Sequence, residues 1–390
     1  MSTQNAKSFD SWIRNEFIEI NTQLEHNYFA QPDRHSVANV GAELKQQLVS
    51  QGADHIQLLL EEGNTDEGYE SGFNLLGNVG FFMAACRRHE IVAEPSLDYP
   101  HATVSALAMQ LGASLGMVPR FASAHLETHN QAIDGRYKSF TSLQDEALFI
   151  ERNTNGVIAY IRASQALLQI LPLGISHPLS YELLANAKTA LERVVTSNAV
   201  LFKELDVDRF FYSIRPYYKT HYVGKHEYRG ANAGDFAGIN VIDLLLGLCR
   251  ANDPYYSQIL VDKFLYMRPE DQTILRECMR QTSLLDQFMM ARKDSVEKPW
   301  FKKNLGMFLA VCDTHGRAAI QHHEVLVEKF IRRPAASDDS TNKPGLTASG
   351  PPLNELLKSL KHLRDLRCAA NQANIGSRYS DIQRLKACQQ

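Results

Sequence analysis

The stretch LSYELLANAKTALERVVTSNAVLF, Leu179–Phe202, decides the fold. Leu184, Ala187, Leu191, Val194, Val195 and Leu201 recur mostly at spacings of three and four, which builds one buried stripe along a helix. Pro178 stands just before it, where a missing N–H costs nothing. Phe301–Ile331 reads the same way, with Leu305, Phe308, Leu309, Cys312, Ala319, Ile320, Leu326, Val327 and Phe330 on one face. Working outward, the same period predicts helices over Trp12–Leu24, Val37–Leu60, Gly72–Arg88, Ala102–Leu115, Asp145–Leu171, Ile239–Cys249, Tyr255–Met267 and Pro269–Gln281. The last opens on Pro269-Glu270-Asp271, a first turn with a preset φ and acids at the positive end of the helix dipole. Period-two alternation is scarce, so the fold is read as all-α, with a short hairpin expected only in irregular stretches such as Ile91–His101. No repeat of fixed period is visible.

Composition limits the function. The chain has 390 residues, 41 Lys+Arg against 44 Asp+Glu, and a net charge of −3. That is ordinary globular usage, enough to bury a large core. A pI near 6.5 argues against a nucleic-acid partner. The six cysteines, Cys86, Cys249, Cys278, Cys312, Cys368 and Cys388, form no CxxC pair, and the N-terminus has no signal-peptide core. The apolar run Val157–Ile175 is interrupted by Arg162 and Gln169 and reads as too polar for a membrane span. A reduced, cytoplasmic protein without a membrane partner is the expectation, as a monomer or a homo-oligomer. Length allows two or three domains; the expected division is an N-terminal helical region at 1-140 and a second helical domain at 141-390. Within the latter, Pro334–Pro352 is rich in Pro, Gly, Ser and Asp, and reads as a mobile loop at 334-352, either a linker or a lid.

Several motifs are weaker than they look. Gly112-Ala113-Ser114-Leu115-Gly116 matches a GxSxG nucleophile elbow, but a helix rather than a strand precedes it, so close helix packing is the better reading. Gly230–Gly238 is a glycine-rich run without the spacing of a nucleotide loop, though its glycines would let backbone approach a ligand. Lys358, Lys361, His362, Arg364 and Arg367 read as a solvated helix face. His322-His323-Glu324 is not HExxH, because Val327 stands at the second histidine position. Helix phase puts His323 on the apolar face and turns His322 about 100° away, toward His315. A histidine there is either a hydrogen-bonded core residue or a metal or haem ligand, and one lone imidazole suits haem better than zinc.

The order of motifs carries more. Phe210-Phe211-Tyr212-Ser213-Ile214-Arg215 is followed by Asn232-Ala233-Gly234-Asp235, then Asp243-Leu244-Leu245-Leu246-Gly247. His323 with Lys329-Phe330-Ile331 comes next, and finally Leu353-Asn354-Glu355-Leu356-Leu357-Lys358-Ser359. This series resembles the indoleamine and tryptophan 2,3-dioxygenase superfamily across about Val207–Arg367, and within it the PrnB-like branch of pyrrolnitrin biosynthesis. The resemblance implies an all-α, multi-helix, haem-enclosing fold similar to indoleamine 2,3-dioxygenase, with haem b as cofactor and His323 as proximal iron ligand. It implies Arg215 as the partner of a substrate carboxylate, Phe210 and Phe211 as walls against an indole, and Asn232, Ala233, Gly234 and Ser349 as further lining. Two departures matter. Thr347-Ala348-Ser349-Gly350 replaces a glycine-rich stretch, and Ile320 replaces an arginine that pairs with an aspartate matching Asp243.

The implied activity is haem-dependent, dioxygenase-like oxygen insertion into the ring of L-tryptophan or a related indole, with dioxygen as co-substrate. The alternatives are PrnB-like ring rearrangement of a substituted tryptophan and a haem- or ligand-binding helical protein without turnover. The cofactor would carry the hard step, leaving the protein an axial ligand, a dry aromatic pocket and a carboxylate clamp, which agrees with the lack of any nucleophile motif.

Overall fold

A computed structural model describes residues 3–63, 68–91, 102–232, 234–333 and 353–389. They are helical almost throughout. In chain order the helices are α1 (Gln4–Arg14), α2 (Glu16–Phe29), α3 (Ala42–Glu62), α4 (Tyr69–Arg88), α5 (Ala102–Leu115), α6 (Gln144–Leu173) and α7 (Pro178–Glu204). After an irregular middle come α8 (Gly238–Leu246), α9 (Pro254–Phe264), α10 (Pro269–Cys278), α11 (Leu284–Ser295), α12 (Pro299–Gln321), α13 (Leu353–Arg367) and α14 (Tyr379–Lys386). The chain divides into two compact units. One gathers Met1–Glu151 and Leu205–Asp235; the other gathers Arg152–Glu204, Phe236–Arg333 and Asn354–Gln390.

In the first unit α1 packs on α2, α3 and α4, and α4 on α5. Its core is aromatic: Phe9, Phe17, Phe73, Phe81, Phe82, Phe121, Phe140 and Tyr217 are all nearly inaccessible. Phe140 and Tyr217 stack with centroids 4.3 Å apart. Several of the charges buried here are paired. Glu25 accepts the Arg88 fork at 2.7 and 2.9 Å, and Asp10 lies 2.7 Å from Arg14 and 2.8 Å from Lys138. Burial works to raise the Asp10 pKa, but those two cations hold it below the usual carboxylate range.

In the second unit α7 and α12 lie along one another, and the core is Leu184, Leu191, Leu245, Phe288, Phe301 and Phe308. Several helices begin at a proline or a capping side chain. Pro178, Pro254, Pro269 and Pro299 all stand in first turns, and the Asp253 and Ser283 side chains cap α9 and α11. Against expectation, α6 is long and apolar enough to cross a membrane by length and composition. Yet 44% of that window is buried inside the protein, and Ala163, Leu167 and Ile170 belong to the core of the second unit.

Three features depart from the sequence reading. The expected helix Trp12–Leu24 is two helices, broken at Asn15, whose side chain donates to the Ser11 carbonyl at 2.7 Å. The expected helix Phe301–Ile331 is α-helical only to Gln321 and continues as a π-helix over His322–Arg332. Among the described residues the hairpin lies at β1 (His221–Val223) and β2 (His226–Tyr228), with Val223 paired to His226 around Gly224-Lys225. Ile91–His101, where it was expected, falls outside the described residues beyond Ile91.

The Ser114 of the GxSxG match sits exposed in the last turn of α5, not at an elbow. A Cβ on Gly112 would come 2.9 Å from the Met117 carbonyl oxygen, so close packing accounts for that glycine. The six thiols are free.

Candidate active site

The segment carrying Arg215 belongs to the first unit and folds as three unlike turns. Asp206 accepts the Arg209 N–H at 2.7 Å and starts a short α turn, Val207–Arg209. Phe210–Ile214 follows as a π turn and Arg215–Tyr218 as a 3-10 turn around Pro216. Phe210 and Phe211 are 8% and 6% exposed, so little of either ring faces open solvent. Phe210 meets Phe149 at 5.1 Å, and Phe211 meets Tyr212 edge-on at 5.0 Å. The Arg215 guanidinium carbon lies 5.3 Å from the Phe211 ring centre. Burial lowers the Arg215 pKa to about 10. Among the described residues the Arg215 guanidinium has no hydrogen bond or ion pair. Asp235 is taken by Arg120, and Asp243 by Arg367.

The glycine-rich run is a loop held by that first pair. Asp235 receives both terminal nitrogens of Arg120 at 3.0 Å and the Ser123 N–H at 3.1 Å, with all these groups buried. Arg120 also donates to the Arg229 carbonyl at 2.7 Å. Asn232 spends its side chain inside the loop, accepting from Gly234 N–H at 2.8 Å and donating to the Gly230 carbonyl at 3.0 Å. A Cβ on Gly230 would fall 1.7 Å from the Tyr218 carbonyl oxygen, so only glycine fits beside the arginine turn. Ala233, Ser349 and the expected lid at 334-352 lie outside the described residues.

His323 belongs to the second unit, on the π-helical stretch. Two tie points fix that stretch to α7. Gln321 donates to the Val195 carbonyl at 2.9 Å, and the Lys329 ammonium to the Phe202 carbonyl at 2.5 Å. The apolar face expected through His323 is not continuous, because Ile320 is 37% exposed, and the i→i+5 turn resets helix phase from His322 on. His322 and His323 are both half-buried. Burial and the nearby Arg364 lower the His323 pKa; burial and Arg367 lower that of His322 to about 4. The His323 Nδ1 is buried without a hydrogen-bond partner.

His315, one side of the same helix, is already spoken for. Its Nε2 lies 2.7 Å from Asp243 Oδ1. Asp243 is fully buried on α8 and also accepts the Tyr256 hydroxyl at 2.8 Å and the Arg367 fork at 2.7–3.1 Å. Burial would raise its pKa; Arg367 and His315 hold it well below the carboxylate range. Arg367 therefore corrects two expectations. It is the aspartate's arginine, supplied by α13 instead of by the position of Ile320, and the basic stretch of α13 is not one solvated face. His362 stacks on Tyr255 at 3.9 Å, and Arg364 pairs with Asp365 at 2.6 Å; Lys358 and Lys361 alone fit the solvated reading. A signal was available, since Arg367 falls four residues after Leu363, on the buried stripe.

The donor set fits a haem. Among the described residues no three His, Cys, Asp or Glu side chains converge as a metal site. A porphyrin iron asks for one protein imidazole only, kept neutral so that its lone pair is free. His323 meets both conditions, on a stretch tied to α7 at Gln321 and Lys329. A helical framework and one such imidazole together describe the class of helical haem enzymes. Comparison with known families is specific: a family model described as monodechloroaminopyrrolnitrin synthase PrnB matches residues 3–389, and the chain belongs to that family. Its enzymes are haem-dependent and modify tryptophan.

Proposed function

We propose that this chain is a haem b enzyme that takes an L-tryptophan, in particular a ring-substituted one, and oxidatively remodels its indole ring. Family membership favours rearrangement of the ring system over simple dioxygenase-like cleavage. The observation that carries the reading is Arg215, a largely buried guanidinium among aromatic rings with no carboxylate of its own among the described residues. An arginine so placed is poised for an anion, and its planar fork matches a carboxylate. Phe210 and Phe211 would wall the indole, and Asn232, Ala233, Gly234 and Ser349 would line the remainder. His323 would hold the iron, and its unpartnered Nδ1–H would donate a hydrogen bond to a water or a carbonyl oxygen.

When bound, haem supplies redox chemistry with dioxygen at the electron-rich indole ring. The polypeptide's share is to orient the substrate through its carboxylate, to exclude water with aromatic surface, and to keep His323 neutral. The test is direct. Protein loaded with haem is incubated under oxygen with L-tryptophan and with a ring-halogenated L-tryptophan, and the products are solved by NMR. A rearranged carbon skeleton supports the reading; a ring-opened product carrying two added oxygen atoms returns it to plain dioxygenation. Haem binding without any turnover would leave a carrier.

A further inference from the structure

Arg215 is not the only cation of the first unit that lacks an anion. Arg87, in the last turn of α4, donates from its guanidinium to the Pro216 carbonyl, which lies in the short turn that carries Arg215. The Lys219 backbone N–H points to the same carbonyl at 3.4 Å. Pro216 thus gathers three cationic residues from two elements around one turn. The neighbouring Arg88 shows what the three lack: Glu25 accepts its fork, and the Tyr212 carbonyl takes a further bond at 2.9 Å. By contrast the Arg87 Nε is buried with no partner. Among the described residues neither the Arg215 guanidinium nor the Lys219 ammonium is paired. The repulsion has a signature. Burial first, then Arg87, Arg215 and Arg88, bring Lys219 down to about 8, and burial with Arg88 brings Arg87 to about 10. Glu90, exposed past the end of α4, is the carboxylate that bears on both.

Burying cations together is unfavourable unless something supplies the counter-charge. We propose that Arg87, Arg215 and Lys219 form one anion site that grips a ligand carboxylate, with Arg87 and Lys219 as specificity-determining residues beside Arg215. A carboxylate offers about four lone-pair directions. The Arg215 fork fills two, and the free Arg87 Nε–H and the Lys219 ammonium fill the rest. The proposal rests on the reading of Arg215 as ligand-facing. Two carboxylates have the right chemistry, that of an amino-acid substrate and a haem propionate.

The experiment separates them. L-Tryptophan and tryptamine are titrated into haem-loaded protein, and protohaem and its dimethyl ester into haem-free protein, for Lys219→Met, Lys219→Arg, Arg87→Met and Arg215→Lys. A loss of about tenfold in L-tryptophan affinity in Lys219→Met, with tryptamine unchanged and Lys219→Arg restored, assigns the substrate carboxylate. The same pattern for protohaem against its ester assigns a propionate. Either supports the site. Equal losses for ligands with and without the carboxylate, or wild-type binding of all four by Lys219→Met, would overturn it, and Lys219→Met decides should Arg87→Met fail to fold. If Arg215→Lys alone binds as wild type, the Arg215 reading falls while the Lys219 site stands; if Arg215→Lys alone loses affinity, the reverse holds.

Discussion

At Arg215 the decisive property is fork geometry, not charge. Arg215→Lys keeps the positive charge and loses the bidentate contact, so L-tryptophan analogues should bind more weakly by about 1–3 kcal/mol, the scale of charge-assisted hydrogen bonds. Analogues without a carboxylate should be unaffected, and titration of both series checks this. Iron ligation offers an equally sharp contrast. His323→Ala should abolish stoichiometric haem uptake, read from the Soret band, while His322→Ala should retain it; the opposite pattern would move the ligand by one residue. These residues could be singled out from sequence because each is an anomaly, a cation after two phenylalanines and an imidazole inside an apolar run. Arg367 was harder to see, because four other basic side chains around it resemble a wet surface. Lys219 carried no anomaly at all; its neighbours Arg87 and Arg88 are remote in sequence.

Among elements, α8, α9, α12 and α13 meet through a single carboxylate. Asp243 accepts from Tyr256, His315 and Arg367 in a fully buried setting. Asp243→Asn should strand the Arg367 charge and cost about 3–5 kcal/mol in urea unfolding, as breaking a buried pair does. Adding Arg367→Met should recover part of that loss, since both partners are then neutral; a purely additive double variant would show that the pair is not coupled. Element starts were readable wherever a proline or a capping side chain marked them, as at Pro178, Pro269 and Asp253. The π-helical turn at His322 was not, because the residues from Gln321 to Arg332 are ordinary helix formers. The contacts that accompany the widening are tertiary, from Gln321 and Lys329 to α7.

For the molecule as a whole, pH should act through groups of opposite sign. Glu127 is pushed up to about 8 by burial and Asp235, and Glu146 to about 7 by burial and Glu25. Each keeps in the folded state a proton that the unfolded chain has released above its ordinary value of 4.5. Their contribution is full below that value and is lost as pH rises to the folded value. His125 and His322, lowered to about 3 and about 4, act in reverse: the unfolded chain takes up protons first, so stability grows up to about pH 6.5. Asp10 and Asp243 add to the acid limb. On these groups the melting temperature should be level between about pH 4.5 and 6.5 and fall toward 8, and Glu127→Gln should flatten that fall. The all-helical class was legible because its signal is spread over hundreds of residues. The return of Leu205–Asp235 to the first unit was not, since periodicity is blind to which helices share a core. That return has a bearing on how the chain is made. Arg120 waits for Asp235 across 115 residues, which at about 5–20 residues per second is roughly 6–23 s of translation. Throughout that interval a nascent chain carries a cation destined for complete burial with no counter-ion yet synthesised, so a ribosome stalled before Asp235 should expose an unfinished first unit to chaperones and proteases.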